Sequence, residues 1–192
     1  MRFLLNLLLM LVIALATGFG LSWYALNDGR FFGAYQTGPW STWLRAGTPE
    51  PDPYTRAYLT RNASLQLGLS EGVQFVATTD SDGRQLSRDC TYRVDGTTPT
   101  AAFWTLVPTT SDGASITRAD GPAAFYSASI ARANDGSVQL FIGKTLSPFN
   151  WLETTGDGPF TLVMTLYDTT LFSGISSNRT TLPSITRVRC TA

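Results

Sequence analysis

The chain has 192 residues, 14 basic and 14 acidic side chains, no histidine, and a charged fraction of only 15%. Without histidine there is no Ser-His-Asp or Cys-His catalysis, no imidazole proton shuttle and none of the common zinc sites. One lysine against thirteen arginines at zero net charge makes no basic stripe, so nucleic acid is not an expected partner.

The first element is an uncharged run between Arg2 and Asp28. A hydrocarbon core about 30 Å thick needs roughly 20 apolar residues in helix, so residues 1–27 are predicted to be an N-terminal transmembrane helix. Thr17 and Ser22 can bond back to their own helix, and Trp23 and Tyr24 suit the headgroup layer at its far end. Arg2 and the N-terminal amine are the positive charges ahead of the run, which directs the rest of the chain outward. The rival reading is a signal peptide cleaved after Ala14-Leu15-Ala16, but the run continues for about ten residues beyond that point. No cysteine follows the run to carry a lipoprotein anchor. Both readings place residues 28–192 outside the cytoplasm; in a bacterium the anchor implies a single pass through the inner (cytoplasmic) membrane and a periplasmic domain.

Residues 28–51 are read as a juxtamembrane stretch rich in Gly, Pro and aromatics. With five aromatic residues it is too apolar for a free tether, so Trp40 and Trp43 are expected to pack. Residues 52–192 are read as one domain. Asp52 suits an N-cap and Pro53 the first helical position, predicting a short helix that stops near 62–67. From Val73 the period falls to two. Strands are expected around Val73–Ala77, Cys90–Val94, Ala101–Val107, Phe125–Ile130, Val138–Ile142, Phe160–Leu166 and Ile185–Cys190. Turns fall at Asp80-Ser-Asp-Gly83, Ser111-Asp-Gly113 and Asn134-Asp-Gly136, the last as a hairpin between its flanking strands. Other aspartates beside glycine, Asp28 among them, are explained by turn formation. The fold class is therefore mainly β: an antiparallel β-sandwich or jelly-roll-like domain with one short helix, preceded by the membrane helix.

Cys90 and Cys190 are the only cysteines. In an oxidising compartment such a pair reads as a disulfide, closing a loop worth roughly 4–5 kcal/mol in the chain-entropy model. A redox or metal role lacks both a C-x-x-C motif and histidine. Asp80-Ser-Asp82-Gly83 has the flavour of a calcium loop, but its twelfth position is Thr91 rather than a bidentate Glu, and turn chemistry accounts for it. Trp104, Asn150, Trp151 and Tyr167 form a candidate ligand surface for a sugar or lipid; the bland reading puts the rings in the core. A carboxylate pair for glycoside chemistry would draw on three glutamates, Glu50, Glu71 and Glu153, or on turn aspartates. Asn62-Ala-Ser64 and Asn178-Arg-Thr180 match the N-glycosylation pattern, a chance match in a bacterial chain. No metal or other cofactor is implied.

Several segments together resemble the bacterial family called domain of unknown function 1214. They are Asp52-Pro53-Tyr54-Thr55-Arg56-Ala57, Cys90-Thr91-Tyr92-Arg93-Val94 through Gly96, Phe103-Trp104-Thr105-Leu106, Asn150-Trp151-Leu152, Gly158-Pro159-Phe160-Thr161-Leu162 and Leu166-Tyr167. The resemblance runs over about residues 50–190 and is to the short, membrane-anchored alphaproteobacterial members. It implies a β-sandwich and supplies no activity or catalytic residues. The family stretch Gly-Asn-Trp-Leu-Pro-Thr departs here to Phe149-Asn-Trp-Leu-Glu153. The expected function is a non-catalytic envelope module that binds a partner protein or glycan. The alternative is an enzyme on an envelope glycan or lipid using carboxylates or Tyr as acid and base.

Overall fold

The computed structural model describes residues 2–27, 34–43, 47–61, 67–68, 71–169 and 181–190. Asp28 and the two glycosylation triplets lie outside the described residues. Helix α1, Arg2–Asn27, is the uncharged run. Its stretch Arg2–Tyr24 is long and apolar enough to cross a membrane, and none of it is buried in the fold. Thr17 donates its hydroxyl to the Ile13 carbonyl at 2.6 Å, which satisfies a polar group that lipid could not. Helix α2, Pro53–Arg61, begins where Asp52 and Pro53 predict. The Asp52 carboxylate accepts from the Thr55 N–H at 3.0 Å and the Thr55 hydroxyl at 2.5 Å, capping the first turn.

The rest is mainly β. Among the described residues the strands are β1 (Ala34–Thr37), β2 (Trp40–Trp43), β3 (Gly72–Ala77), β4 (Cys90–Gly96), β5 (Ala101–Thr109), β6 (Phe125–Tyr126), β7 (Val138–Ile142), β8 (Asn150–Leu152), β9 (Thr161–Thr169) and β10 (Ser184–Cys190). They form a six-stranded antiparallel sheet, β1-β2-β3-β9-β5-β6, and a four-stranded sheet, β10-β4-β7-β8. The chain changes sheet after β3, β4, β6, β8 and β9. One side-chain parity of each strand points inward, as the period of two requires. Phe75, Trp104, Leu106, Leu162, Met164 and Leu166 of the larger sheet share one core with Tyr92, Val94, Leu140, Ile142, Leu152 and Ile185 of the smaller. That shared core is what makes the two sheets a sandwich. A close approach inside the larger sheet requires glycine at 72: a Cβ there would lie 2.2 Å from the Leu166 carbonyl oxygen.

Three features depart from the sequence reading. Residues 34–43, inside the segment read as juxtamembrane, supply the hairpin β1–β2, which extends the larger sheet through Ser41 opposite Val76. Trp40 packs as expected: it is fully buried and donates from Nε1 to the Pro183 carbonyl at 2.7 Å. Second, the expected hairpin across Asn134-Asp-Gly136 is not a pair of sheet strands. The turn forms, with Gly136 N–H on the Ala133 carbonyl at 2.9 Å, but β6 belongs to the larger sheet and β7 to the smaller. Third, the smaller sheet is mixed, because β8 runs parallel to β7.

The residue before β8, Phe149, sits at φ 65°, the left-handed region that disfavours L side chains. It occupies the position where the family stretch has glycine, and the residue is 78% exposed. Phe149→Gly therefore raises stability by about 0.5–1 kcal/mol, the relieved strain exceeding the glycine entropy cost. Thermal unfolding checks this; a lowered Tm would mean that the ring holds the loop.

Candidate functional site

The structure distributes the four ligand-surface candidates over different faces. Trp104 is 2% exposed and faces the core from β5, with its Nε1 buried and unbonded. The Arg132 guanidinium lies 5.9 Å from its ring centroid. Tyr167 pairs with Phe103 in the same sheet while Trp104 pairs with Leu166, so Tyr167 points outward. Asn150 and Trp151 belong to the other sheet, and Trp151 donates from Nε1 to the Gly143 carbonyl at 3.2 Å.

Asn150 has a structural occupation. Its Oδ1 accepts from the Ala131 N–H at 2.7 Å, and its Nδ2 donates to the carbonyls of Ala131 at 2.8 Å and Gln139 at 3.0 Å. The amide imitates a neighbouring strand and fastens the connection between β6 and β7. Asn150→Asp removes both donors while keeping the shape. It costs roughly 2–3 kcal/mol, two hydrogen bonds at about 1 kcal/mol each plus the repulsion between carboxylate and carbonyls. Urea unfolding measures it; a change under about 0.5 kcal/mol would show that the clamp is dispensable.

A second grouping, spread across the sequence, does converge. On the outward face of the larger sheet Phe103 stacks on Tyr126 at 6.2 Å between centroids and lies 5.9 Å from Tyr167. Tyr126 stands opposite Thr105, and Thr105 opposite Thr165, which is opposite Gln74. Alternation along β2 puts Trp43 on the same side, next in line beyond Gln74. The outward positions of the strands are Ala, Gly, Gln, Ser, Thr, Val and aromatic residues, without a charge. Nothing in the sequence could assemble this row, since its rings come from strands that only the register brings together.

Charged groups gather instead at loops of the smaller sheet. Lys144 Nζ meets Asp157 at 2.5 Å and Asp89 at 3.4 Å. The Lys144 pKa is raised, first by its hydrogen bond to Asp157, and that of Asp157 is lowered by the same bond. Lys144 is therefore a protonated partner rather than a general base, and Asp157 shifts the wrong way for a general acid. The linkage has two signs. The lowered Asp157 stabilises above the usual carboxylate value, and that contribution fades as pH falls through its depressed folded value. The raised Lys144 stabilises below the usual lysine value and fades as pH rises through its elevated folded value. Lys144→Met is expected to flatten the stability–pH curve at both limits, below about pH 4 and above about pH 10. Because the groups are exposed, the difference should vanish at about 1 M salt. Urea unfolding against pH at two ionic strengths tests both statements.

The Asp80-Ser-Asp82-Gly83 segment is a turn. The Asp80 carboxylate is 1% exposed and accepts from the N–H groups of Asp82 at 3.1 Å and Arg84 at 2.8 Å. Arg84 Nε at 3.2 Å and Arg187 Nε at 3.5 Å neutralise it. Its oxygens face donors and cationic side chains already. Other aspartates are similarly engaged: Asp135 accepts from the Ser137 hydroxyl and N–H, which lowers its pKa.

Cys90 and Cys190 are disulfide-bonded across the register pair that ends β4 and β10. A disulfide suits an oxidising compartment.

A family model described as "Protein of unknown function (DUF1214)" matches residues 71–171, from the start of β3 to just past β9. No curated protein matches the chain. Among solved structures, a crystal structure of a protein from Vibrio parahaemolyticus matches with TM-score 0.57 and 19% identity, covering 71% of this chain and 35% of that one. An uncharacterized protein from Burkholderia cenocepacia matches with TM-score 0.44 and 21% identity, over 93% of this chain and 53% of that one. The chain thus spans about a third and about half of the lengths of these two. The first likeness is one of fold alone.

Proposed function

The chain belongs to the DUF1214 family of proteins of unknown function, which assigns it no reaction; from its own geometry we propose that it is a membrane-anchored, non-catalytic binding module of the bacterial envelope. In this reading α1 spans the inner membrane and the sandwich works in the periplasm, where its disulfide persists. The observation that carries it is the uncharged outward face of the larger sheet with its row Phe103, Tyr126 and Tyr167, set over a core that is filled from both sheets. Tyr126 is exposed and Phe103 and Tyr167 are half-buried; an aromatic, uncharged face of this kind suits contact with a partner. The charged side chains named above are engaged with one another or with their own turns, which leaves them serving the fold. The ligand is an envelope component of uncharged chemistry: a protein surface, a glycan or the lipid itself.

The test is purification of the full chain from its native membranes with and without Phe103→Ser and Tyr126→Ser. The expected result is that an envelope protein, glycan or lipid is retained by the unaltered protein and reduced in the double variant. Turnover of an envelope glycan or lipid by the purified protein would establish the enzyme reading in its place.

A further inference from the structure

The chain coming from α1 enters the larger sheet at one end, the start of β1. Trp23 and Tyr24, 65% and 51% exposed near the end of α1, mark the headgroup level. Between Asn27, the last residue of α1, and Ala34, the first of β1, lie residues 28–33, which reach at most about 24 Å. Ala34 pairs with Trp43. Antiparallel pairing then carries that end across the sheet: Gly72 opposite Tyr167, and Tyr167 opposite Phe103. Phe103 and Tyr167 therefore lie toward the end of the sheet from which the anchor leaves, and Tyr126 and Trp43 lie one level further in, in the row of Thr105. The opposite end carries Thr109 opposite Thr161, the turn at Asp112 and the turn at Asp82. Nine residues of β5 separate the two ends, about 30 Å of strand.

We infer that this anchor-proximal end rests on the phospholipid surface, with Trp43, Tyr167, Phe103 and Tyr126 seated at headgroup depth. The inference rests on α1 spanning a membrane and names the lipid interface as the partner of the face proposed above. Three observations select lipid over a second copy or a soluble partner. The tether keeps the β1 edge of this end within about 24 Å of the bilayer whatever else binds. The side chains there are Trp, Tyr and Phe, whose flat amphipathic rings favour the interface. Their half-buried neighbours Thr105 and Gln74 can bond to headgroup and ester oxygens without placing a charge in the interface. The domain would then be held in one orientation, with the Asp82 and Asp112 turns presented away from the membrane.

The experiment uses the full chain in phosphatidylcholine vesicles. Both native cysteines are disulfide-bonded, so one introduced thiol can be labelled selectively with a small fluorophore. Tyr126→Cys reports the aromatic row and Asp112→Cys the distal end. Ala128→Cys, two residues along from Tyr126, carries the same readout where the first variant fails to fold. Quenching by phosphatidylcholine with a nitroxide headgroup is expected to be at least about threefold deeper at 126 or 128 than at 112, matching the distance dependence of contact with the interface. Equal quenching at the two ends, in protein that resists alkaline carbonate extraction, overturns the docking while leaving the anchor intact. Protein stripped from the vesicles by carbonate overturns the anchor itself and the docking with it.

Discussion

Replacing Cys90 and Cys190 together by alanine lowers the unfolding free energy by roughly 3–5 kcal/mol while leaving the native fold in place. The two residues are 100 apart in sequence, and cutting a loop of that length frees the unfolded chain by about 4.7 kcal/mol in the entropy model. Cys90 is 6% exposed and belongs to the core cluster, so alanine there adds a small cavity term. The native state survives because β10 is held by more than its last residue. Ile185 is fully buried. Its carbonyl accepts from the Ser81 N–H at 2.8 Å, and its own N–H donates to the Ser81 hydroxyl at 2.9 Å. Arg187 adds a bond to the Gln85 carbonyl at 2.9 Å. Urea unfolding of the detergent-solubilised protein should show a lower midpoint and a steeper slope, since an uncrosslinked chain exposes more surface on unfolding. Reducing the unaltered protein with dithiothreitol should give the same shift. A loss below about 1 kcal/mol with unchanged slope would mean that the disulfide does not constrain the unfolded ensemble.

The elements legible in the sequence are those where one strand carries its own pattern. Phe160, Leu162, Met164 and Leu166 alternate strictly, and all four are buried. The cap at Asp52 and the turn at Asp80 were likewise readable, because each is closed by bonds to residues two to four positions away. Alternation states which side of a strand is apolar; it does not state which strand lies alongside. That is why Asn134-Asp-Gly136 formed its turn without joining its flanking strands, one of which crossed to the other sheet. It is also why β8 is not legible in the sequence: three residues are too few to show a period, and parallel pairing with β7 depends on the loop returning the chain.

The candidate site divides the same way. Whether Trp104 or Tyr167 faces the core is decided by register: Trp104 stands opposite Leu166, so both take the inner side, and Phe103 and Tyr167 take the outer. Asn150 could be singled out from sequence as a polar residue beside Trp151, but its partners Ala131 and Gln139 lie 19 and 11 residues away. The row Phe103–Tyr126–Tyr167 requires β6, β5 and β9 in one sheet before it exists as a surface.

Trp40→Ala costs about 3–5 kcal/mol, the range for deleting a buried aromatic side chain, although Trp40 lies outside the segment that sequence alone assigns to the folded domain. The ring is fully buried in the shared core. Its Nε1 bond reaches Pro183, 143 residues away and immediately before β10. The side chain thus joins β2 of the larger sheet to the lead-in of β10 in the smaller. Trp40→Phe separates the two contributions. It keeps most of the apolar volume and leaves the Pro183 carbonyl unpaired, so it should cost about 1–3 kcal/mol, the penalty of an unmade buried bond with some lost packing. Were residues 34–43 a linker lying on the membrane, Trp40→Ala would change stability by less than about 0.5 kcal/mol, as surface substitutions do. The hairpin and the disulfide hold opposite ends of β10, at Pro183 and at Cys190, through unrelated interactions. Their losses should therefore add to within about 0.5 kcal/mol. Against a total stability of about 5–15 kcal/mol for such a domain, the triple variant Trp40→Ala, Cys90→Ala, Cys190→Ala loses most of what holds it folded, and circular dichroism at 37 °C should find it largely unfolded where either parent is native.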